Sequence, residues 1–155
     1  MNNHSMKSDI DPDNIEEAFI DTYLAFLLAT ASHRISSEFH EKLRELNIAV
    51  STWRILAVLS AKQRSVNELA RIVLLNQPTV SKTLIRLERD GLITRQREKD
   101  NQRSVRIGLT KKGVALVSKL IPLAKEHEAD AFSTLSQSDR TKLVKILREV
   151  IKHNE

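Results

Sequence analysis

At 155 residues, with 41% hydrophobic and 29% charged side chains, the chain suits one domain with a real core, or one domain with appendages. It has no cysteine, which excludes disulfides, thiolate metal sites, cysteine nucleophiles and thiol redox sensing, and its three glycines and three prolines are too few for a loop-rich β protein. The net charge of +5 is unevenly spread: residues 51–113 hold 14 Lys/Arg against 5 Asp/Glu, a local +9, while the flanks together hold 11 against 15. A basic centre between acidic arms is the electrostatic outline of a nucleic-acid reader carried on a separate scaffold, although charge alone fits a solubilising surface equally well. The first residues contain no signal-peptide hydrophobic region, and no apolar run approaches the roughly 20 residues of a membrane span. A cytoplasmic protein without membrane contact is therefore expected.

Residues 1–12 are polar and expected to form a flexible N-terminus. A long helix is predicted over about 13–47, where Ile15, Phe19, Tyr23, Phe26, Leu27, Ile35, Phe39, Leu43 and Leu46 recur at three- and four-residue spacings. Residues 23–31 are apolar on nearly all sides, so more than one neighbour must bury them. Asn47, which tolerates a left-handed backbone, ends the pattern. Ser51 opens a second helix over 52–61, with Trp53, Leu56, Ala57 and Leu59 as its buried side. Ser65-Val66-Asn67-Glu68 reads as a capping box for a third helix, which buries Leu69, Ala70 and Val73. Asn76 caps a fourth, Pro78 is tolerated in its first turn, and Gly91 terminates it.

The periodicity then changes. Residues 92–97 and 105–109 are short and β-like, with Val105, Ile107 and Leu109 alternating with Arg106 and Gly108; the polar run 98–104 between them reads as a hairpin tip. Thr110 caps a fifth helix with Leu116, Leu120, Leu123 and Ala124 in register, and Pro122 should bend it. Ser138 or Asp139 starts a sixth, whose stripe is Leu143, Val144, Leu147, Val150 and Ile151.

Three short helices followed by a β-hairpin make a winged helix-turn-helix, in which the fourth helix is the recognition helix. On its wheel Val80, Leu84 and Leu87 face the core. Pro78, Lys82, Arg86 and Arg89 fall on the opposite side, with Thr79 and Ser81 flanking. Cations there suit phosphates, and small hydroxyls suit base edges or phosphates. The hairpin adds Arg95, Arg97, Lys99, Arg103 and Arg106, which weighs against an ordinary solvated helix face. Arg103, with Lys99 and Gln102 close by, is the candidate for the narrow, strongly negative minor groove of A·T-rich DNA. The DNA-binding set is thus Gln77, Pro78, Thr79, Ser81, Lys82, Arg86, Arg97, Lys99, Gln102 and Arg103.

The segments Trp53-Arg54-Ile55-Leu56-Ala57-Val58-Leu59, Glu68-Leu69-Ala70, Gln77-Pro78-Thr79-Val80-Ser81-Lys82, Leu87-Glu88-Arg89-Asp90-Gly91-Leu92-Ile93, Arg103-Ser104-Val105 and Leu109-Thr110-Lys111-Lys112-Gly113 resemble MarR-type transcriptional regulators, in order and across the whole winged helix. The resemblance extends over about 13–153. It implies a mainly α fold with a small β-hairpin wing: a winged helix-turn-helix over 48–113 and a helical dimerisation domain built from 13–47 and 114–155. Physical reasoning agrees, because the first helix and the stripe of the sixth both need a partner surface, which a second copy about a two-fold axis would supply. The resemblance further implies a homodimeric repressor, released from a near-palindromic operator by a small ligand, with aromatic carboxylates as the class to try. The family binds such ligands between the dimerisation helices and the winged helix. Tyr23, Thr30, His33 and Trp53 are the candidate contacts and Arg34 a candidate carboxylate partner, although Tyr23 and Trp53 also suit a core and Arg34 an ion pair with Glu38. One departure stands out. The family's wing commonly carries Asp two residues before the minor-groove Arg, and here Asn101 holds that place with Asp100 before it.

Five histidines raise the question of a metal. His33 and His40 could share a helix face, and Glu126-His127-Glu128 with Asp130 forms a local cluster, but no pair has zinc-like spacing. The cluster around His127 reads as the solvated side of the fifth helix. No cofactor is expected, and no glycine-rich phosphate loop, nucleophile elbow or catalytic His–carboxylate motif supports an enzyme. The competing reading is a protein–protein adaptor that uses a winged-helix surface without an operator of its own.

Overall fold

The computed structural model describes residues 19–97 and 105–154. Their elements, in chain order, are α1 (Leu24–Glu45), α2 (Val50–Leu59), α3 (Val66–Val73), α4 (Gln77–Arg89), β1 (Ile93–Arg97), β2 (Val105–Leu109), α5 (Lys111–Ala131) and α6 (Gln137–His153). The chain divides into two compact units at Glu38/Phe39.

In the first unit the expected unbroken helix is interrupted. Residues 19–22 are helical, Tyr23 is not, and α1 begins at Leu24. The Tyr23 N–H donates to the Ile20 carbonyl at 3.4 Å, three residues back rather than four. No Gly or Pro codes the break, so periodicity gave no sign of it. The Phe19 and Tyr23 rings stack across it at 4.8 Å. Phe19, Ile20, Tyr23, Leu24, Phe26, Leu27 and Leu28 are all exposed, so the apolar girdle foreseen over 23–31 is real.

The second unit begins with the last turns of α1, which bury Phe39 and Leu43. Asn47 takes the expected left-handed backbone (φ 56°), and the Ile48 N–H reaches back to the Leu43 carbonyl at 2.8 Å, closing the helix end. Helix α2 starts one residue earlier than Ser51, behind Ala49, whose side chain cannot cap, and it ends at Leu59 rather than 61. Its buried side is Thr52, Ile55, Leu56 and Leu59, while Trp53 and Ala57 are only half-buried. Leu56 and Leu59 are buried as expected, but the centre of the face lies about one position from the expected one, and Ile55 is fully buried.

The main core joins Ile55, Leu56 and Leu59 of α2 to Leu69 and Val73 of α3, Val80, Leu84 and Leu87 of α4, Leu92, Ile93 and Ile107 of the hairpin, and Val117 of α5. A smaller cluster of Phe39, Leu43 and Leu120 takes in Trp53, whose ring meets Phe39 edge-on at 5.4 Å. Strands β1 and β2 pair antiparallel, with Ile93 opposite Leu109 and Arg97 opposite Val105. Arg64 adds an isolated bridge on the far side of β2, exchanging two backbone hydrogen bonds with Ile107 (3.1 and 2.8 Å). A one-residue bridge has no alternation to betray it, and the sequence reading missed it.

Thr110 caps α5 by accepting from the Gly113 N–H at 3.1 Å, and its hydroxyl donates to the Gly91 carbonyl at 2.7 Å. A Cβ at Gly113 would run into the Leu92 carbonyl oxygen, so only glycine lets α5 lie this close to the hairpin's start. Helix α5 continues through Pro122. Its buried stripe is Gly113, Val117, Leu120 and His127. The reading of His127 as solvated is thus corrected: it sits on the same three-four periodicity, 7% exposed, with its ring 5.4 Å from Phe39. Glu126, Glu128 and Asp130 do point to solvent. Helix α6 is capped by Ser136, two residues before the expected start, and buries none of its residues.

Candidate nucleic-acid interface

Helix α4 is held from both ends and from beneath. Asn76 accepts from the Thr79 N–H at 2.9 Å, and Pro78 stands in the first turn, where an amide N–H would have no helical partner. Val80, Leu84 and Leu87 anchor the buried row as foreseen, joined by Thr83, whose hydroxyl donates to the Thr79 carbonyl. At the C-terminus Gly91 adopts φ 71°, the Leu92 N–H donates to the Leu87 carbonyl, and the Lys112 ammonium donates to the Asp90 carbonyl at 2.8 Å. The turn from α3 into α4 is Leu74-Leu75-Asn76, with Leu74 in the left-handed region at φ 54°.

The opposite face carries the side chains proposed for DNA. Gln77, Pro78, Thr79, Lys82, Arg86 and Arg89 are exposed, and Ser81 is half-buried. Two of them are already oriented. The Arg86 guanidinium donates to the Thr52 hydroxyl on α2 at 2.8 Å, and the Gln77 amide donates to the Asn67 carboxamide oxygen on α3 at 2.6 Å. Lys82, Arg86 and Arg89, with Ser51, Thr83 and Ile85, line a shallow cleft of about 340 Å³. Ile85 was absent from the sequence-based set. It lies 63% exposed between the cations, although its spacing from Pro78 and Lys82 could have placed it there.

The hairpin divides its cations between two tasks. Arg97 is exposed at the end of β1. Arg95 meets Glu88 of α4 at 2.9 Å, and Arg106 meets Glu68 of α3 at 2.7 Å. Two cations of the basic hairpin thus have partners that spacing did not announce: Arg95 and Arg106 brace the wing strands against the helices and are partly neutralised. Lys99, Gln102 and Arg103, with Asn101, lie outside the described residues. Glu68 also completes the foreseen capping box, accepting from the Ser65 N–H at 2.7 Å while the Ser65 hydroxyl oxygen accepts from the Glu68 N–H at 3.2 Å. The Ser65 backbone and hydroxyl, with help from Arg106 and Arg64, hold the Glu68 carboxyl below its ordinary value.

Of the ligand candidates, Tyr23, His33 and Arg34 are exposed and Thr30 half-buried in the first unit. Trp53 belongs to the second unit and packs in its smaller core cluster. Among the described residues, no three His, Asp or Glu side chains cluster as a metal site, and no helix is long and apolar enough to cross a membrane.

Comparison with known proteins converges on one family. A family model described as MarR family matches residues 46–104. The chain is 25% identical over 141 residues to the HTH-type transcriptional regulator SarZ of Staphylococcus haemolyticus, covering 90% of this chain and 95% of that one. It is 30% identical over 105 residues to the organic hydroperoxide resistance transcriptional regulator of Bacillus subtilis, covering 67% and 71%. Among solved structures, a MarR family transcriptional regulator from Silicibacter pomeroyi superposes with a TM-score of 0.76 at 30% identity, covering 88% of this chain and 98% of the other.

Proposed function

The chain belongs to the MarR family of DNA-binding transcriptional regulators and is not an enzyme, and we propose that it works as a homodimeric repressor released from a near-palindromic operator by a small ligand. The observation that carries the DNA-facing part is the solvent face of α4, where Lys82, Arg86 and Arg89 surround one cleft on a helix fixed by core, cap and turn. Gln77, Pro78, Thr79 and Ser81 at the start of that helix would meet the major groove. Arg97, with Lys99, Gln102 and Arg103, would follow the backbone into the adjacent minor groove. Residues 13–47 and 114–155 would form the dimerisation arms around the winged helix of 48–113.

Release requires a ligand that prefers the DNA-incompetent form. Tyr23, Thr30, His33, Arg34 and Trp53 are the proposed contacts, and an aromatic carboxylate, with Arg34 as its ionic partner, is the class proposed. With no cysteine in the chain, an effector acting through thiol oxidation has no residue to act on.

The test is binding of the purified protein to its own upstream DNA, titrated with salt and then with a panel of aromatic acids. A dimer that neutralises about 6–10 phosphates should lose roughly 10³–10⁵ in affinity between 50 and 200 mM salt. Relief of binding by one compound would establish ligand control. A salt slope near zero would defeat the DNA reading and turn the search toward a protein partner.

A further inference from the structure

Helix α4 sets Pro78, Lys82, Ile85 and Arg89 in one row, opposite the buried row of Val80, Leu84 and Leu87. Every other branched aliphatic side chain of α4 is buried, and Ile85 alone of them stands in solvent, 63% exposed. A single exposed apolar side chain is ordinary on a protein surface, so exposure by itself carries nothing. The position of Ile85 is what matters. Lys82, Arg86 and Arg89 border the same cleft, and cations spaced along a helix in this way seat it against the phosphates that wall a major groove. The side chain at the centre of the row then faces base edges. An isoleucine there can neither donate nor accept a hydrogen bond. The one apolar group that a base pair presents in the major groove is the 5-methyl of thymine. A β-branched side chain on a helix is already confined at χ1, so docking it costs little further freedom.

We propose that Ile85 reads the 5-methyl group of a thymine in the major groove and is a specificity-determining residue of this regulator. The proposal rests on the DNA-facing reading of α4, and the experiment separates the two. Duplexes that bind the protein are selected from a randomised pool, and each thymine of the selected site is replaced in turn by deoxyuridine, which removes only the methyl. At one thymine per half-site the wild type should lose about fourfold in affinity, the factor expected for one buried methyl-sized group. Ile85→Ala should bind the thymine and uracil duplexes alike at that position, and Ile85→Val should retain part of the discrimination. With its side chain mostly in solvent, Ile85 can be truncated without opening the core, and an unchanged circular dichroism spectrum would verify this. If every uracil effect persists undiminished in Ile85→Ala, the assignment is overturned while the DNA reading stands. If selection enriches no sequence at all, the DNA reading itself fails.

Discussion

Leu74 sits in the three-residue turn between α3 and α4 with φ 54°, a conformation that an L side chain adopts at a cost of about 1–2 kcal/mol. Its side chain is 84% exposed, so packing gives little in return. Leu74→Gly should relieve that strain and, after the greater unfolded-chain freedom of glycine, leave a gain of about 0.5–1 kcal/mol, read as a higher urea midpoint with an unchanged slope. A fall in the midpoint would mean that the leucine makes a contact which outweighs the strain. Strain at this point of the chain was not legible in the sequence, because Leu74 has neither the glycine nor the asparagine that marks a left-handed residue. Asn47 and Gly91 were legible for the converse reason: their chemistry names the conformation. Arg86 shows a different limit. Its place on the exposed face followed from the wheel, but its hydrogen bond to Thr52 spans 34 positions and depends on how α2 and α4 pack.

At the scale of elements, Glu68 ties three pieces together: the first turn of α3, strand β2 through Arg106, and the bridging residue Arg64. Half of this was visible beforehand. A capping box is a local pattern, read from four consecutive residues, whereas the pairing with Arg106 is a product of the hairpin folding back onto α3. The direction of the Glu68 shift fixes the sign of a pH effect. Its folded-state value lies below the ordinary 4.5, so the ionised carboxylate contributes stability that is fully present above about pH 4.5 and is lost as pH falls through the folded value. Glu68→Gln keeps an oxygen for the Ser65 N–H but removes the charge that faces Arg106 and Arg64, and should cost about 0.5–1 kcal/mol near neutrality. It should also flatten the decline of stability below pH 4.5 relative to the wild type. Parallel denaturation curves at pH 7 and across the acid range would check both, and an acid decline equal to that of the wild type would place the sensitivity in another carboxylate. The stripes of α2 and α5 carry the same lesson about local and non-local information. Spacing correctly announced two helices, but on α2 the expected face omitted the fully buried Ile55 while Trp53 packs at the core's edge, and on α5 the polarity of His127 was given more weight than its spacing.

At the scale of the molecule, the apolar surface left in solvent decides whether one copy suffices. Helix α6 exposes Val144, Ile146, Val150 and Ile151 and buries nothing. The first unit exposes Phe19, Ile20, Tyr23, Leu24, Phe26, Leu27 and Leu28. Soluble monomers rarely leave contiguous apolar surface of this kind uncovered, and the acidic flanks that carry it have no use against DNA phosphates. A second copy about a two-fold axis, as proposed, would cover both surfaces and would set two α4 helices about one turn of duplex apart. Because association would then add to protomer stability, the melting temperature should rise with protein concentration. Ile151→Glu places a charge on a side chain that is 60% exposed and contributes nothing to either core cluster, so the fold of the protomer should survive. That variant should sediment as a monomer at micromolar concentration, melt independently of concentration, and lose at least about tenfold in affinity for a two-half-site operator, since burying an unpaired charge in an interface costs well over the 1.4 kcal/mol that a factor of ten represents. It should keep the wild-type affinity for an isolated half-site, because α4 is untouched. A wild type that is monomeric at these concentrations, with a melting temperature independent of dilution, would show that the exposed stripes await a different partner.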